Sequence, residues 1–254
     1  MSERITAAVL VIGDEILSGR TKDKNIGYIA DYLVQIGVDL CEVRIVADVE
    51  DEIVGALNAL RARYTYVFTT GGIGPTHDDI TADAVAKAFG VAISEHPRAI
   101  ALLLTRIKPA DLNESRRRMA RIPHGAELVE NRVSTAPGFM IGNVIVMAGV
   151  PTIMQAMLDN VTPRLKTGAK MLMQTVEAGA LPEGLYAADL AAIAAAYPGA
   201  SIGSYPSFAT GGFRNQIVVR SKDAAVLTAA AADVQAMVAR FLDERARLKD
   251  QIAP

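Results

Sequence analysis

Residues 5–12, ITAAVLVI, form a continuous apolar run that ends in Gly13. A strand buried on both faces reads this way, because neither of its alternating sets of side chains meets water. After a polar loop, Ile26, Ile29, Ala30 and Leu33 recur at i, i+3, i+4, i+7, which lays one apolar stripe along a helix, and Gly37 stops the pattern as a C-terminal cap does. The unit then repeats. VDLCEVRIVA reads as a strand, Ile53, Ala56, Leu57 and Leu60 repeat the helical spacing, and YTYVFTT is a third strand rich in aromatic and β-branched residues. Strand, helix, strand, helix, strand predicts a parallel sheet with right-handed crossovers.

Further on, Val85, Ala88 and Phe89 mark a helix capped by Thr81 and ended by Gly90, and two polar helices are expected within 97–121. FMIGNVIVMAGVP predicts two strands around Gly142-Asn143 that return the chain to the sheet. Composition shifts after TPRLKTGAK. The remainder reads strand (171–178), helix (186–196), strand (200–206), strand (213–220), helix (224–246), the order of a small α+β domain. The alanine-rich stretch 187–196 is taken as helix, since alanine has the highest helix propensity, and the last helix carries Leu227, Ala230, Ala231, Val234 and Val238 on one stripe. The expected division is 1–166 and 167–254.

The 254 residues are 51% hydrophobic and 21% charged, enough to bury a sizeable core. A net charge of −2 and a pI near 6.0 argue against a general nucleic-acid binder and against a protein held to a membrane by bulk charge. Any bound anion must therefore be gripped by a local site. Cys41 is the single cysteine, so no internal disulfide forms and a cytoplasmic setting is expected; its place in a strand puts it in the core. The N-terminal apolar stretch is too short to span a membrane, and no segment reaches about 18 uninterrupted apolar residues. The apolar surplus permits a homo-oligomer.

The richest stretch chemically is TTGGIGPTHDDIT, residues 69–81, at the end of the third strand. Open parallel sheets bind ligands at this carboxyl edge, where backbone N–H groups and helix N-termini converge. Gly71, Gly72 and Gly74 let the main chain come close to a phosphate and turn its amides toward one point. Asp78 and Asp79 would repel a bare phosphate, so a nucleotide there needs a cation between, most simply Mg²⁺ or another divalent metal. The plainer reading is that Asp79 and Thr81 cap a helix while the glycines make a turn. Two more strand ends are acidic: GDEILSGRTKDKN follows the first strand and Asp48 follows the second, so three acidic clusters at one edge are expected to form a single cleft.

Other motifs narrow the field. No GxGxxG follows the first strand and no GxxxxGK[ST] occurs, against an NAD enzyme or P-loop NTPase. His77, His96 and His124 lack ligand spacing, and His96 beside Pro97 reads as a helix start. Arg116, Arg117, Arg118 and Arg121 read as a solvated helix ahead of a phosphate clamp or subunit contact. VSTAPGF, 133–139, offers Ser134 and Thr135 as hydrogen-bonding groups for a sugar or phosphate.

GDEILSG, DKN, TTGGIGPTHDDITADAV and NRVSTAPGF, in this order, resemble the CinA-type (competence/damage-inducible protein A) branch of the MoaB/Mog molybdopterin-binding domain superfamily. The resemblance implies a three-layer αβα sandwich with a mostly parallel sheet, followed by a small α+β domain. It implies a nucleotide pyrophosphatase that uses a divalent metal on ADP-ribose-like dinucleotide pyrophosphates. A second reading is molybdopterin binding with adenylyl transfer in molybdenum cofactor biosynthesis, and a third is a non-catalytic oligomeric nucleotide-binding module. Many relatives add a C-terminal nicotinamide-nucleotide amidohydrolase domain and eukaryotic ones an FAD synthase; the sequence to Pro254 is expected to carry neither activity. By motif the catalytic acids fall on Asp79, Asp48 and Asp78, with Asp79 and Asp48 on the metal. Substrate contacts fall on Gly71, Gly72, Gly74, Thr70, Thr81, Gly13, Asp14, Glu15, Ser18, Asp23, Asn25, Ser134 and Thr135. The implied partner is a small nucleotide or pterin, with molybdopterin a candidate ligand. Ile73 stands where the Mog branch has threonine, and Lys24 replaces the threonine of the commoner DTN.

Overall fold

A computed structural model describes residues 4–209 and 212–252. Packing divides the chain after Gly168 into two units. The first opens with β1 (Thr6–Ile12), a one-turn helix α1 (Asp14–Leu17), α2 (Asn25–Gln35), β2 (Asp39–Val46), α3 (Glu50–Arg63) and β3 (Tyr66–Thr70). It continues with α4 (Thr81–Phe89), β4 (Ile93–Glu95), α5 (Pro97–Leu104), α6 (Glu114–Arg118), β5 (Arg121–Pro123) and β6 (Glu127–Val129), and ends with β7 (Gly138–Ile141), β8 (Val144–Met147) and α7 (Pro151–Val161).

Six strands form one sheet in the order β2-β1-β3-β8-β7-β6. β1, β2, β3 and β8 run parallel, while β7 is antiparallel to both its neighbours. The unbroken apolar run of β1 explains its central place. Ala8, Leu10 and Ile12 face one layer with Ile53 and Leu57 of α3, Val85 of α4 and Leu103 of α5. Ala7, Val9 and Val11 face the other, with Ile29 and Leu33 of α2 and Met154 and Leu158 of α7. A strand with helices on both sides has no polar face to offer, and the result is a three-layer sandwich.

The second unit contains β9 (Leu172–Gly179), α8 (Glu183–Ala196), β10 (Ala200–Ala209), β11 (Gly212–Ser221) and α9 (Ala224–Ile252). Its antiparallel sheet has the order β10-β11-β9. Among the described residues α9 is the one helix long and apolar enough, by length and composition, to cross a membrane. Its Ala230, Ala231, Val234 and Val238 instead pack on Val176 and Ala178 of β9 and on Ile217 and Val219 of β11.

Two sequence expectations need correction. Cys41 is exposed, not in the core. The register between β1 and β2 slips between Ala7 and Ala8, leaving Cys41 as the extra residue of a bulge in a strand at the sheet's edge. Thr81 does not cap α4: it is the first helical residue, and its Oγ1 donates to the Gly71 carbonyl at 3.0 Å. The two helices expected within 97–121 are α5, which is apolar where a polar helix was expected, and the short α6; a 3₁₀ turn joins them, and a two-stranded ladder of β4 and β5, which was not expected, flanks them. Strands of three residues are too short to show a period.

Candidate functional site

The crossover through α2 leaves β1 toward β2, whereas β3 lies on the other side of β1, so the strand order reverses at β1 and β3. Open α/β sheets bind ligands at such a switch point, beyond the carboxyl ends of the strands. A 240 Å³ pocket lies there, lined by Val11 and Ile12 of β1, Thr70 and Gly71 at the end of β3, Glu15, Thr21–Asn25, and Gly149 and Pro151.

The backbone shapes its floor. Gly71 has φ +104°, and a Cβ there would be driven into the Ile12 carbonyl oxygen. Gly72 has φ +66°, and its Cβ would strike Thr81 Oγ1. Only glycine allows these strand ends to close up and Thr81 to tie the loop to α4.

Asn25, on the first turn of α2, is 4% exposed, and its Nδ2 donates to the Gly149 carbonyl at 2.8 Å. Because a carbonyl only accepts, the amide orientation is fixed, and Oδ1 is left buried without a partner. Thr70 Oγ1 is likewise buried and unpartnered. Asp23 lines the same pocket, but its Oδ1 accepts from the Asn25 and Ile26 amides at 3.1 and 2.8 Å, closing the start of α2.

Acids crowd the neighbouring rim. Asp48, just past β2, accepts from the Asp14 amide at 2.9 Å. Its carboxyl is pushed above the usual aspartate range, first by burial and then by the charges of Asp14, Glu15 and Asp78, against the Asp14 hydrogen bond that favours the ionised form. The loops after β1, β2 and β3 therefore do bring their acids near one another. They do not form a closed cage: among the described residues no three His, Cys, Asp or Glu side chains stand close enough to hold a metal ion.

Asp79 is engaged with its own loop. Oδ1 accepts from the Gly74 amide at 2.6 Å, and Oδ2 accepts from the Thr76 amide at 2.8 Å and from the Thr76 hydroxyl. Both oxygens thus hold the glycine loop in shape. Asp78, one residue earlier, is exposed and held below the ordinary carboxylate range, chiefly by the Thr76 hydroxyl. His77 is exposed. Gly72, Gly74 and Asp79 belong to a small recess beside Arg118 and Arg121 rather than to the larger pocket. The arginines are not merely solvated: Arg118 Nη2 donates to the Asp79 carbonyl at 3.1 Å, and Arg121 grips both oxygens of Asp83.

Of the remaining expected contacts only Glu15 lines the pocket. Gly13 is buried, Asp14 and Glu15 open α1, and Ser18 ends it. Ser134 and Thr135 sit in a loop turned by buried Asn131, whose Oδ1 accepts from the Val133 and Ser134 amides. Thr135 lines a separate open pocket with Arg132 and Asp159. The structure does not bring this pair to the switch point. It adds Gly149, Pro151 and Lys22, which sequence reasoning missed; the signal was AGVP at 148–151, a glycine and a proline directly after a buried strand.

Residues 8–167 match the family model described as "Probable molybdopterin binding domain", and residues 170–243 match the "FAD synthase, middle domain". A CinA-like protein of Desulfosudis oleivorans is 34% identical over 209 residues, covering 78% of this chain and 51% of that protein. Another, of Citrifermentans bemidjiense, is 36% identical over 203 residues, covering 70% and 48%. The chain thus spans about half the length of these two relatives. The crystal structure of a Thermoplasma acidophilum protein CinA, of unknown function by its own description, superposes with a TM-score of 0.60 at 34% identity, over 63% of this chain and 98% of that one.

Proposed function

The chain belongs to the molybdopterin-binding domain family as a CinA-type member, and from that premise we propose that it is a divalent-metal-dependent pyrophosphatase of ADP-ribose-like nucleotides. The observation that carries the reading is Asp48. A carboxylate half-buried among Asp14, Asp78 and Glu15, the last of which lines the switch-point pocket, is an arrangement that a divalent cation would relieve.

Mg²⁺ commonly uses one or two carboxylates and completes its shell with substrate phosphates and water, so Asp48 and Asp78 fit it without a third acid. When bound, such a metal supplies charge neutralisation and an activated water. This chain's residues do the rest. Asp79 holds the glycine loop in shape through the Gly74 and Thr76 amides, and other main-chain N–H groups of that loop would stand against the oxygens that gain charge as water attacks one phosphorus and the bridging P–O bond breaks, a role in which a lost donor can cost about 3 kcal/mol. ADP-ribose and water would yield AMP, ribose 5-phosphate and protons.

Incubation of the protein with ADP-ribose and Mg²⁺ or Mn²⁺ should release AMP, and Asp48→Asn should lower the rate at least a hundredfold. Equal turnover by wild type and variant would end this reading. The family description supports pterin binding in a second reading; adenylyl transfer, its further part, would be marked by a reaction that requires both a pterin and ATP.

A further inference from the structure

The six-stranded sheet ends at β2, and among the described residues no strand lies beyond it. One hydrogen bond shows which of its main-chain groups are left open. The Val46 carbonyl accepts from the Gly13 amide at 3.2 Å and so faces β1. In a parallel strand the N–H and C=O of one residue point to the same side and successive residues alternate. Glu42 and Arg44 therefore also face β1, while Val43 and Ile45 turn both groups away from the sheet. The bulge at Cys41 precedes this stretch, and from Glu42 to Val46 the strand is regular.

The side chains make this open edge complementary to itself. Val43 and Ile45 stand in register with Val9 and Val11, on the face that carries α2, yet each is 38% exposed. Leu17 of α1, which lies against β2, is exposed as well. On the other face Glu42 and Arg44 carry opposite charges two residues apart, and Arg44 Nε donates to Glu42 Oε1 at 2.6 Å. The Tyr64 hydroxyl donates to Glu42 Oε2 at 2.7 Å and holds that carboxylate in place. Edge strands are commonly blunted by charges of one sign, which repel a second strand. Here a second β2, antiparallel about a two-fold axis through Val43, would set Glu42 opposite Arg44 of the partner subunit and Arg44 opposite Glu42 of the partner subunit. An axis through Glu42 or Arg44 would instead set like charges opposite each other, which destabilises a strand pair.

We infer that β2 is the contact between two copies of this chain, paired antiparallel about Val43, so that two six-stranded sheets join edge to edge. The outward N–H and C=O of Val43 in each copy bond those of the other. On one face Val43 meets its own counterpart, and on the other two Glu42–Arg44 pairs cross the axis. Because the strands oppose, the carboxyl edges of the two sheets point in opposite directions, and the two switch-point pockets lie at opposite ends of the joined sheet. The pairing is independent of whether the pocket hydrolyses a pyrophosphate.

Sedimentation of the full chain, carried to about 100 µM because a contact along one strand edge is small among specific interfaces, should show a dimer. Val43→Pro removes an N–H that faces outward, so the ladder to β1 survives; the variant should keep its circular dichroism and sediment as a monomer. Arg44→Glu should weaken the dimer tenfold or more by placing like charges across the axis. Should Val43→Pro lose its circular dichroism, Arg44→Glu decides, since it leaves the main chain whole. In a Cys41→Ser background, Val43→Cys should yield a disulfide-linked dimer on oxidation, because opposed Cα atoms about 5.5 Å apart are within disulfide reach. Arg44→Cys in the same background, out of register with its counterpart, should not. A monomer at every concentration, a dimer untouched by Arg44→Glu, or cross-linking of Arg44→Cys rather than Val43→Cys would overturn the inference.

Discussion

Asn25 and Gly149, 124 residues apart, are joined by a 2.8 Å hydrogen bond from the Asn25 side chain to the Gly149 carbonyl. The bond ties the start of α2 to the turn between β8 and α7, and so fastens the first and last crossovers of the sheet across the mouth of the switch point. Groups from both ends of the unit therefore meet at one pocket, and its properties can be addressed one residue at a time.

Asp48 should make stability fall with rising pH. Its folded-state carboxyl is raised, so the folded protein holds this proton more tightly than the unfolded chain does. The penalty for ionising it is absent below the unfolded-state value and complete above the folded one. Asp48→Asn keeps an acceptor for the Asp14 amide and removes the charge. In metal-free buffer the variant should melt higher than wild type near neutral pH, and the difference should shrink as pH falls toward about 4. A constant difference across that range would contradict the assignment.

Asp79→Ala should loosen a loop and leave the fold standing. The substitution strands the Gly74 and Thr76 amides, each worth about 1 kcal/mol because water reaches this loop. Hydrogen exchange at 72–80 should accelerate with a small loss of melting temperature, and Asp79→Asn should fall between. Unchanged exchange would show that the carboxylate does not hold the loop.

Gly71→Ala should destabilise by at least about 2 kcal/mol, from a φ of +104° that alanine avoids and from the clash with the Ile12 carbonyl. Gly19→Ala makes the control: its φ is also positive, +72°, but nothing lies within 4 Å of the added carbon. Chemical denaturation of the two variants separates strain from crowding, and equal losses would remove crowding from the account.

The sheet was readable because its central strands obey one rule, burial on both faces, and the helices between them another, one apolar stripe. Ile53, Ala56, Leu57 and Leu60 are all buried as their spacing requires. Cys41 misled because a bulge in an edge strand leaves no trace in the order of residue types. The acids were readable as a group, since three strand ends of a parallel sheet must share an edge. The job of each acid was not: Asp79 turns inward to its own loop and Asp48 toward Asp14, choices made by loop conformation. Gly149 escaped notice because its contribution is a main-chain oxygen, which every residue possesses.

The tight seam of Ile12, Gly71 and Gly149 is built from main chain alone, and a Cβ on Gly149 would already crowd Gly71. A designer who wished to retune this cavity would accordingly find its foundations closed to change and its rim open. Lysines 22 and 24 stand in solvent and can be exchanged for other chemistries without disturbing the masonry beneath.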